Sequence, residues 1–269
     1  MEATGRLPAV RGIDAAAPFR WLGWAWRDLW TTPGPLLLYG LLISATSLAL
    51  SWAIYRTNAA FWVLALTFGF VFVAPMLAMG PYEAGRRLDR GELPRVLDLL
   101  LVRKALRQDV AYLGLALLVI YFFWGRIAQI VYGLSTWQIY RTIPEFLTFA
   151  LTTAEGQRML LVGSGIGGII AYGTFVLVAV SAPMLLDPRA SVFAAVATSV
   201  RAVSRNPGPM LLWALVILAL VMLSAATAFV ALIVVFPWLG LASWRAYREL
   251  VAEAPEPAAA RPLNPVATR

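Results

Sequence analysis

Between Met210 and Trp244 the chain runs for 35 residues without a charged side chain. A bilayer core of about 30 Å is crossed by roughly 20 helical residues rising 1.5 Å each, so this run is too long for one ordinary span. It predicts a helical hairpin with a tight turn near Ser224–Thr227, or else one tilted helix followed by a re-entrant piece. The turn region holds no Gly, Pro or charge, and hydropathy alone leaves both readings open.

Four further apolar runs approach the length of a span: Leu36–Tyr55, Phe61–Met79, Val110 to Gly125 with an extension past Arg126 to Tyr132, and Leu160–Leu185. Composition agrees. With 61% hydrophobic and 13% charged residues, and a mean hydropathy of +0.75, the chain carries too little charge to cover a water-soluble core. The expected fold is an all-α membrane protein of six transmembrane helices, forming three hairpins with amphipathic interfacial helices at the cytoplasmic face. The membrane domain is expected over residues 16–251, between a disordered arm at 1–15 and a disordered Pro/Ala-rich tail at 252–269. The first 15 residues are polar or small, unlike a cleavable signal peptide.

Charge sets the orientation. With the N-terminus inside, 18 of the basic residues fall in cytoplasmic segments and four outside: Arg56, Arg126, Arg141 and Arg158. The positive-inside rule therefore places both termini of a multi-pass protein in the cytoplasm, with lipid as the main partner and no nucleic acid expected. Trp52, Trp62 and Trp124 fall near outer ends and Trp213 and Trp244 near inner ends, where amphipathic rings anchor. Outside the spans, Ile143–Leu151 reads as an interfacial helix. Asp187-Pro188 reads as a helix cap with Pro at the first position, opening an amphipathic helix. Val192, Phe193, Val196, Val200 and Val203 form its apolar stripe, opposite Ser191, Thr198, Arg201 and Arg205.

The chain also repeats itself. Phe19–Ile43 aligned on Phe193–Ile217 matches at nine of 25 positions, including Arg27 with Arg201 and Pro33-Gly34-Pro35 with Pro207-Gly208-Pro209. Ala74-Pro75-Met76-Leu77 recurs as Ala182-Pro183-Met184-Leu185 and, more faintly, as Phe236-Pro237-Trp238-Leu239. Three units of surface helix plus hairpin follow, about 16–82, 92–187 and 191–247, with Pro75, Pro183 and Pro237 kinking the second span of each.

Chemistry is limited by what is missing. Without Cys there are no disulfides or thiolate metal sites, and without His there are no imidazole ligands and no Ser/His/Asp or Cys/His set. No cofactor and no metal are expected, and the chain does not read as an enzyme. A Ser–Lys dyad would need Lys104, the only lysine, which has no evident partner. Gly163-Ser164-Gly165-Ile166-Gly167-Gly168 lacks the lysine and strand context of a phosphate loop. Gly163 with Gly167, and Ser164 with Gly168, instead have small-xxx-small spacing for close helix packing. Arg126 either sits within a span or snorkels outward beside Trp124. Arg86, Arg87 and Arg90, with Glu83, Asp89 and Glu92, form a charge cluster just inside the second span. Together with Arg27 and Arg201 these arginines are candidates for contact with anionic lipid or a partner, the alternative being a solvated, mutually paired helix end.

Four ordered segments carry a family resemblance: Pro81-Tyr82-Glu83-Ala84-Gly85-Arg86-Arg87-Leu88-Asp89-Arg90-Gly91, Ser181-Ala182-Pro183-Met184-Leu185-Leu186-Asp187, Ser199-Val200-Arg201-Ala202-Val203 running into Asn206-Pro207, and Pro237-Trp238-Leu239-Gly240-Leu241-Ala242-Ser243-Trp244-Arg245-Ala246-Tyr247-Arg248. Across about 19–251 the chain resembles the domain-of-unknown-function family 2189, a group of integral membrane proteins of bacteria. It departs from the family in having Leu241 and Arg245 where members often have His, and Gly85 where they have Ser. The family has no established activity, although some members carry the label of a cytochrome c oxidase subunit. The resemblance implies a polytopic protein of a bacterial inner membrane. The missing catalytic groups, the small-residue packing and the amphipathic surface helices point to a non-catalytic accessory, scaffold or assembly factor of a membrane complex, a respiratory one for instance, whereas three repeats with kinked second spans would suit a small-molecule or lipid transporter with a central cavity.

Overall fold

A computed structural model describes residues 7–56, 74–140 and 142–251. Among them the chain is helical, and its one β feature is an isolated antiparallel bridge between Val10 and Val251. The helices are α1 (Ala17–Thr31), α2 (Pro33–Tyr55), α3 (Met79–Leu88), α4 (Val96–Leu100), α5 (Gln108–Ser135), α6 (Ile143–Thr152), α7 (Ala154–Val178), α8 (Ser181–Met184), α9 (Val192–Arg205), α10 (Pro207–Ala226) and α11 (Leu232–Leu250), with a 3₁₀ turn at Arg103–Leu106.

Four stretches are long and apolar enough to cross a bilayer: Pro33–Ala53, Gln108–Ser135, Ala154–Met184 and Pro207–Ala226. They answer to the first, third and fourth expected spans and to the first half of the 35-residue run. The second expected span, Phe61–Met79, lies outside the described residues except for its end at 74–79. The long run breaks within residues 227–231, three residues beyond the expected start of the turn at Ser224. Ala228 and Phe229 take φ of 49° and 67°, a left-handed conformation that non-glycine residues rarely adopt. Hydrogen bonds hold it there. Phe229 N–H donates to Ser224 O at 2.8 Å, and Ser44 Oγ on α2 donates to Phe229 O at 2.8 Å. Beyond the turn, α11 runs back along α2 towards α1, but Arg245 ends its apolar part at Leu232–Trp244. That part measures about 20 Å at 1.5 Å per residue, short of a full span, so length and apolarity do not mark α11 as a sixth crossing.

Two surface helices enter their spans in the same way. α1 passes to α2 through Thr32 (φ −140°, ψ 67°), and α9 passes to α10 through Asn206 (φ −129°, ψ 52°). Each bend precedes a Pro-Gly-Pro, where Pro suits the first helical position and disfavours a helical residue before it. Both helices bury one stripe: Ala17, Trp21, Ala25 and Leu29 in α1, and Val192, Ala195, Thr198, Ser199, Ala202 and Val203 in α9. Asn206 also fixes the N-terminal arm, accepting from Ile13 N–H at 2.9 Å and donating to Arg11 O at 3.1 Å, while Arg11 N–H donates to Leu250 O at 2.8 Å. Residues 10–13 are thus tied to the bundle by the Asn206 side chain and by backbone pairing with residues 250–251.

The helix expected from Asp187 begins later. Ser191 is its cap, accepting from Ala194 N–H at 3.3 Å, while Asp187 Oδ1 accepts from Arg189 N–H at 2.9 Å in a turn. An Asp side chain serves its own turn as readily as a helix end, and starting at Val192 keeps the buried stripe on the bundle. A helix does form where Ile143–Leu151 was expected to make one: α6, opened by a capping box between Thr142 and Glu145.

Candidate functional site

Proline organises the interior. A proline cannot donate to the carbonyl four residues back, and its ring crowds that group, so each leaves an oxygen to be satisfied from elsewhere. Pro81 frees Leu77 O, and the hydroxyl of Tyr39 on α2 donates to it at 2.6 Å. Pro237 lies inside α11 and frees Ile233 O. Gly40, one residue after Tyr39, faces that oxygen so closely that a methyl group there would overlap it. In the segment that carries Pro183, α7 stops at Val178 and α8 starts at Ser181. Ser199 Oγ on α9 bridges this break, accepting from Val180 N–H at 3.1 Å and donating to Val176 O at 2.7 Å. Pro75 lies in the helical turn 74–77, one turn before α3.

Around these breaks lies a cavity of about 110 Å³, lined in part by Pro75, Ala78, Thr174, Val178, Phe236 and Gly240. The walls are mostly apolar, and Thr174 and Tyr82 are buried. Drug-sized ligands occupy pockets of roughly 300–1,000 Å³. Gly240 packs on the Pro81 ring with no room for a side chain.

At one end of the bundle the charged groups pair across elements distant in sequence. Arg245 on α11 meets Asp28 on α1 with Nε–Oδ2 at 2.7 Å and Nη2–Oδ1 at 2.9 Å, and meets Asp89 after α3 with Nη1–Oδ1 at 2.7 Å. Burial works against the Arg245 cation, but bonding to Asp28 and the charges of Asp28 and Asp89 outweigh it and hold its pKa above the usual arginine value. Trp244 Nε1 donates to Asp89 Oδ2 at 2.9 Å, and Arg248 shares the same oxygen at 3.3 Å. Nearby, Glu249 accepts from Trp21 Nε1 at 2.6 Å and from Arg20 at 2.8 Å. Two pairs of bonds therefore tie the end of α11 to α1.

The arginines singled out from sequence separate into two groups. Arg86 and Arg87 both bond the buried Glu83, and Arg87 also reaches Asp98 at 3.0 Å and Glu92 at 3.6 Å. Arg27, Arg90 and Arg201 are exposed and form no ion pair among the described residues. Arg27 lines an open cleft with Trp24, Asp28, Arg245, Arg248 and Glu249. Gly163 and Gly167 both face α5: a methyl on Gly163 would lie 3.7 Å from Val131, and one on Gly167 would come within 2.7 Å of the Trp124 ring. Gly168 faces open space. Arg126 is exposed on α5 and donates to Gln129 at 3.1 Å. Burial and then the neighbouring Arg86 push the Lys104 ammonium below its usual pKa. Among the described residues no group of three acidic side chains is placed to hold a metal.

Sequence reasoning missed Asp28, Tyr39 and Gly40, and it placed Asp89 in the charge cluster without its partner Arg245. Asp28 and Arg245 are 217 residues apart, and no local pattern joins them. Gly40 and Tyr39 gave a weak signal, a tyrosine and a glycine breaking an otherwise leucine-rich span.

Comparison with known families gives one match: residues 63–187 fit the family described as predicted integral membrane protein (DUF2189). The chain resembles this family over that stretch, which holds two of the four motif segments, Pro81–Gly91 and Ser181–Asp187, while Ser199–Pro207 and Pro237–Arg248 lie beyond it. No curated protein and no solved structure matches the chain.

Proposed function

We propose, from the premise of an integral membrane protein of the DUF2189 type, that the chain is a non-catalytic accessory or assembly factor of a larger membrane complex. It works through helix–helix and lipid contacts, with both termini in the cytoplasm of a bacterial inner membrane. The observation that carries this reading is its centre. The cavity of about 110 Å³ is below the size range of substrate pockets, and the helices around it are held by Tyr39 on the Leu77 carbonyl that Pro81 frees, by Ser199 across the break between α7 and α8, and by the close approach of Gly40 to Ile233 O. The outside is the reverse. Leu115, Leu118, Val119, Phe122 and Phe123 on α5 are all exposed, a broad apolar face suited to lipid or to another subunit's helix.

The internal duplication fits this reading in two of its three units. α1 packs on α11 and α9 on α7, so each of these two surface helices rests on the last helix of the preceding proposed unit, the first unit following the third in this order. Such contacts make neighbouring units depend on one another. A photoreactive residue at Phe122, in cells, should give a discrete protein adduct, while the same residue at Leu239 beside the cavity should cross-link only within the chain. A purified monodisperse protein whose Phe122 position captures lipid alone would overturn the accessory reading.

One observation favours a transporter as second reading. The cavity is lined from all three proposed second spans, through Pro75, Thr174 and Phe236, as expected of a site enclosed by repeats. Saturable uptake of a small molecule by vesicles containing the pure protein, abolished by Ala78→Phe, would establish that reading.

A further inference from the structure

The charged face contains a nitrogen with nothing to bond. Glu83 holds Arg86 through Nε at 2.7 Å and through Nη2, which fixes the plane of the guanidinium. The remaining nitrogen, Nη1, is buried and has no hydrogen-bond partner. A buried cationic N–H left unpaired costs more than a neutral one, and in native proteins it usually marks an unseen water or ion.

Its surroundings select an anion. The 3₁₀ turn at Arg103–Leu106 follows α4, which packs on α3, and Val102 and Ala105 join Tyr82 in one apolar cluster. Lys104 therefore stands beside α3, near enough for the charges of Arg86 and Arg90 to act on it. Neither Lys104 nor Arg90 has an ion pair among the described residues, and Glu83 is already shared by Arg86 and Arg87. Asp187 is the other acid that Lys104 senses, and its charge weighs less than those of Arg86, Glu83 and Arg90. Glu92 and Asp187 also act on Arg86 and Lys104, but among the described residues neither pairs with Arg86, Arg90 or Lys104, and Arg86 Nη1 stays unpartnered.

We propose that Arg86, Arg90 and Lys104 form a binding site for a phosphate oxyanion, supplied by the headgroup of an anionic phospholipid or by free inorganic phosphate. The fork of Arg86 offers a directed donor, and Lys104 and Arg90 supply flexible point charges, the usual division of labour around phosphate. The site follows the end of the second expected span, where headgroup phosphates lie if that span crosses the membrane. It stands whether the protein is an accessory subunit or a transporter.

Lys104 is the only lysine in the chain, so its acylation reports on this site alone and is read by mass spectrometry of the peptide that contains it. The full-length protein is tested in detergent with millimolar phosphate against chloride at equal ionic strength, and in nanodiscs of phosphatidylglycerol against phosphatidylcholine. Occupancy should slow acylation roughly fivefold. Slowing by phosphate in detergent identifies a free-phosphate site, and slowing only in phosphatidylglycerol identifies a headgroup site. Equal rates in all four conditions would overturn the proposal. Arg86→Gln should abolish the protection. Because Arg86 also holds Glu83, Arg90→Gln serves beside it: protection should fall while melting is unchanged, and full protection in Arg90→Gln would also count against the site.

Discussion

Gly40→Ala should lower stability by about 2–3 kcal/mol, although alanine is the better helix former. The added methyl would fall on Ile233 O, a backbone atom that cannot rotate away, so α2 and α11 must separate. Separation also pulls Tyr39 from Leu77 O and Ser44 from Phe229 O, leaving two further polar groups unpaired in an apolar setting. The control is Gly168→Ala, where a methyl meets open space and only the helix gain of up to about 1 kcal/mol remains. Melting of the two variants in one detergent should differ by roughly 6–12 °C. Equal melting points would mean that α2 does not approach α11 at Gly40.

Arg245→Met should cost about 2 kcal/mol, less than the 3–5 kcal/mol of a fully buried pair because the groups remain partly exposed. The side chains of Arg245, Asp28 and Asp89 retain 25%, 17% and 20% exposure. Removing the cation leaves Asp28 and Asp89 facing each other without the group that neutralises both. In a double-mutant cycle with Asp28→Asn, the second change should add much less than it does alone, a coupling of about 1 kcal/mol or more. Strict additivity would show that the pair is incidental. If the bonds tie α11 to α1, Arg245→Met should also speed proteolysis after Arg11 and Arg20.

Most of the helices were legible in the sequence because lipid requires long apolar runs and the Pro-Gly-Pro breaks mark where surface helices turn into spans. What was not legible depended on distant partners. The turn at Ala228 and Phe229 has no glycine or proline, and it exists because Ser44, on another helix, bonds it. Asp187 and Ser191 offer the same cap chemistry, and packing of the Val192 stripe decides between them. The glycines singled out were those in a visible cluster, Gly163–Gly168, whereas Gly40 meets a carbonyl that Pro237 frees nearly 200 residues later. The arginines were visible as a cluster, but the pairing that leaves Arg86 Nη1 unsatisfied required the fold.

The most direct test of the account is membrane sidedness. The chain has no cysteine, so single-cysteine variants report without background. Leu93 and Trp137 are well exposed, at 67% and 93%, on either side of α5. In intact cells a membrane-impermeant maleimide should label Trp137→Cys, and should label Leu93→Cys only after the membrane is opened. Labelling of both, or of neither, before opening would contradict a membrane-crossing α5, and labelling of Leu93→Cys alone would invert the orientation on which the cytoplasmic charged face depends.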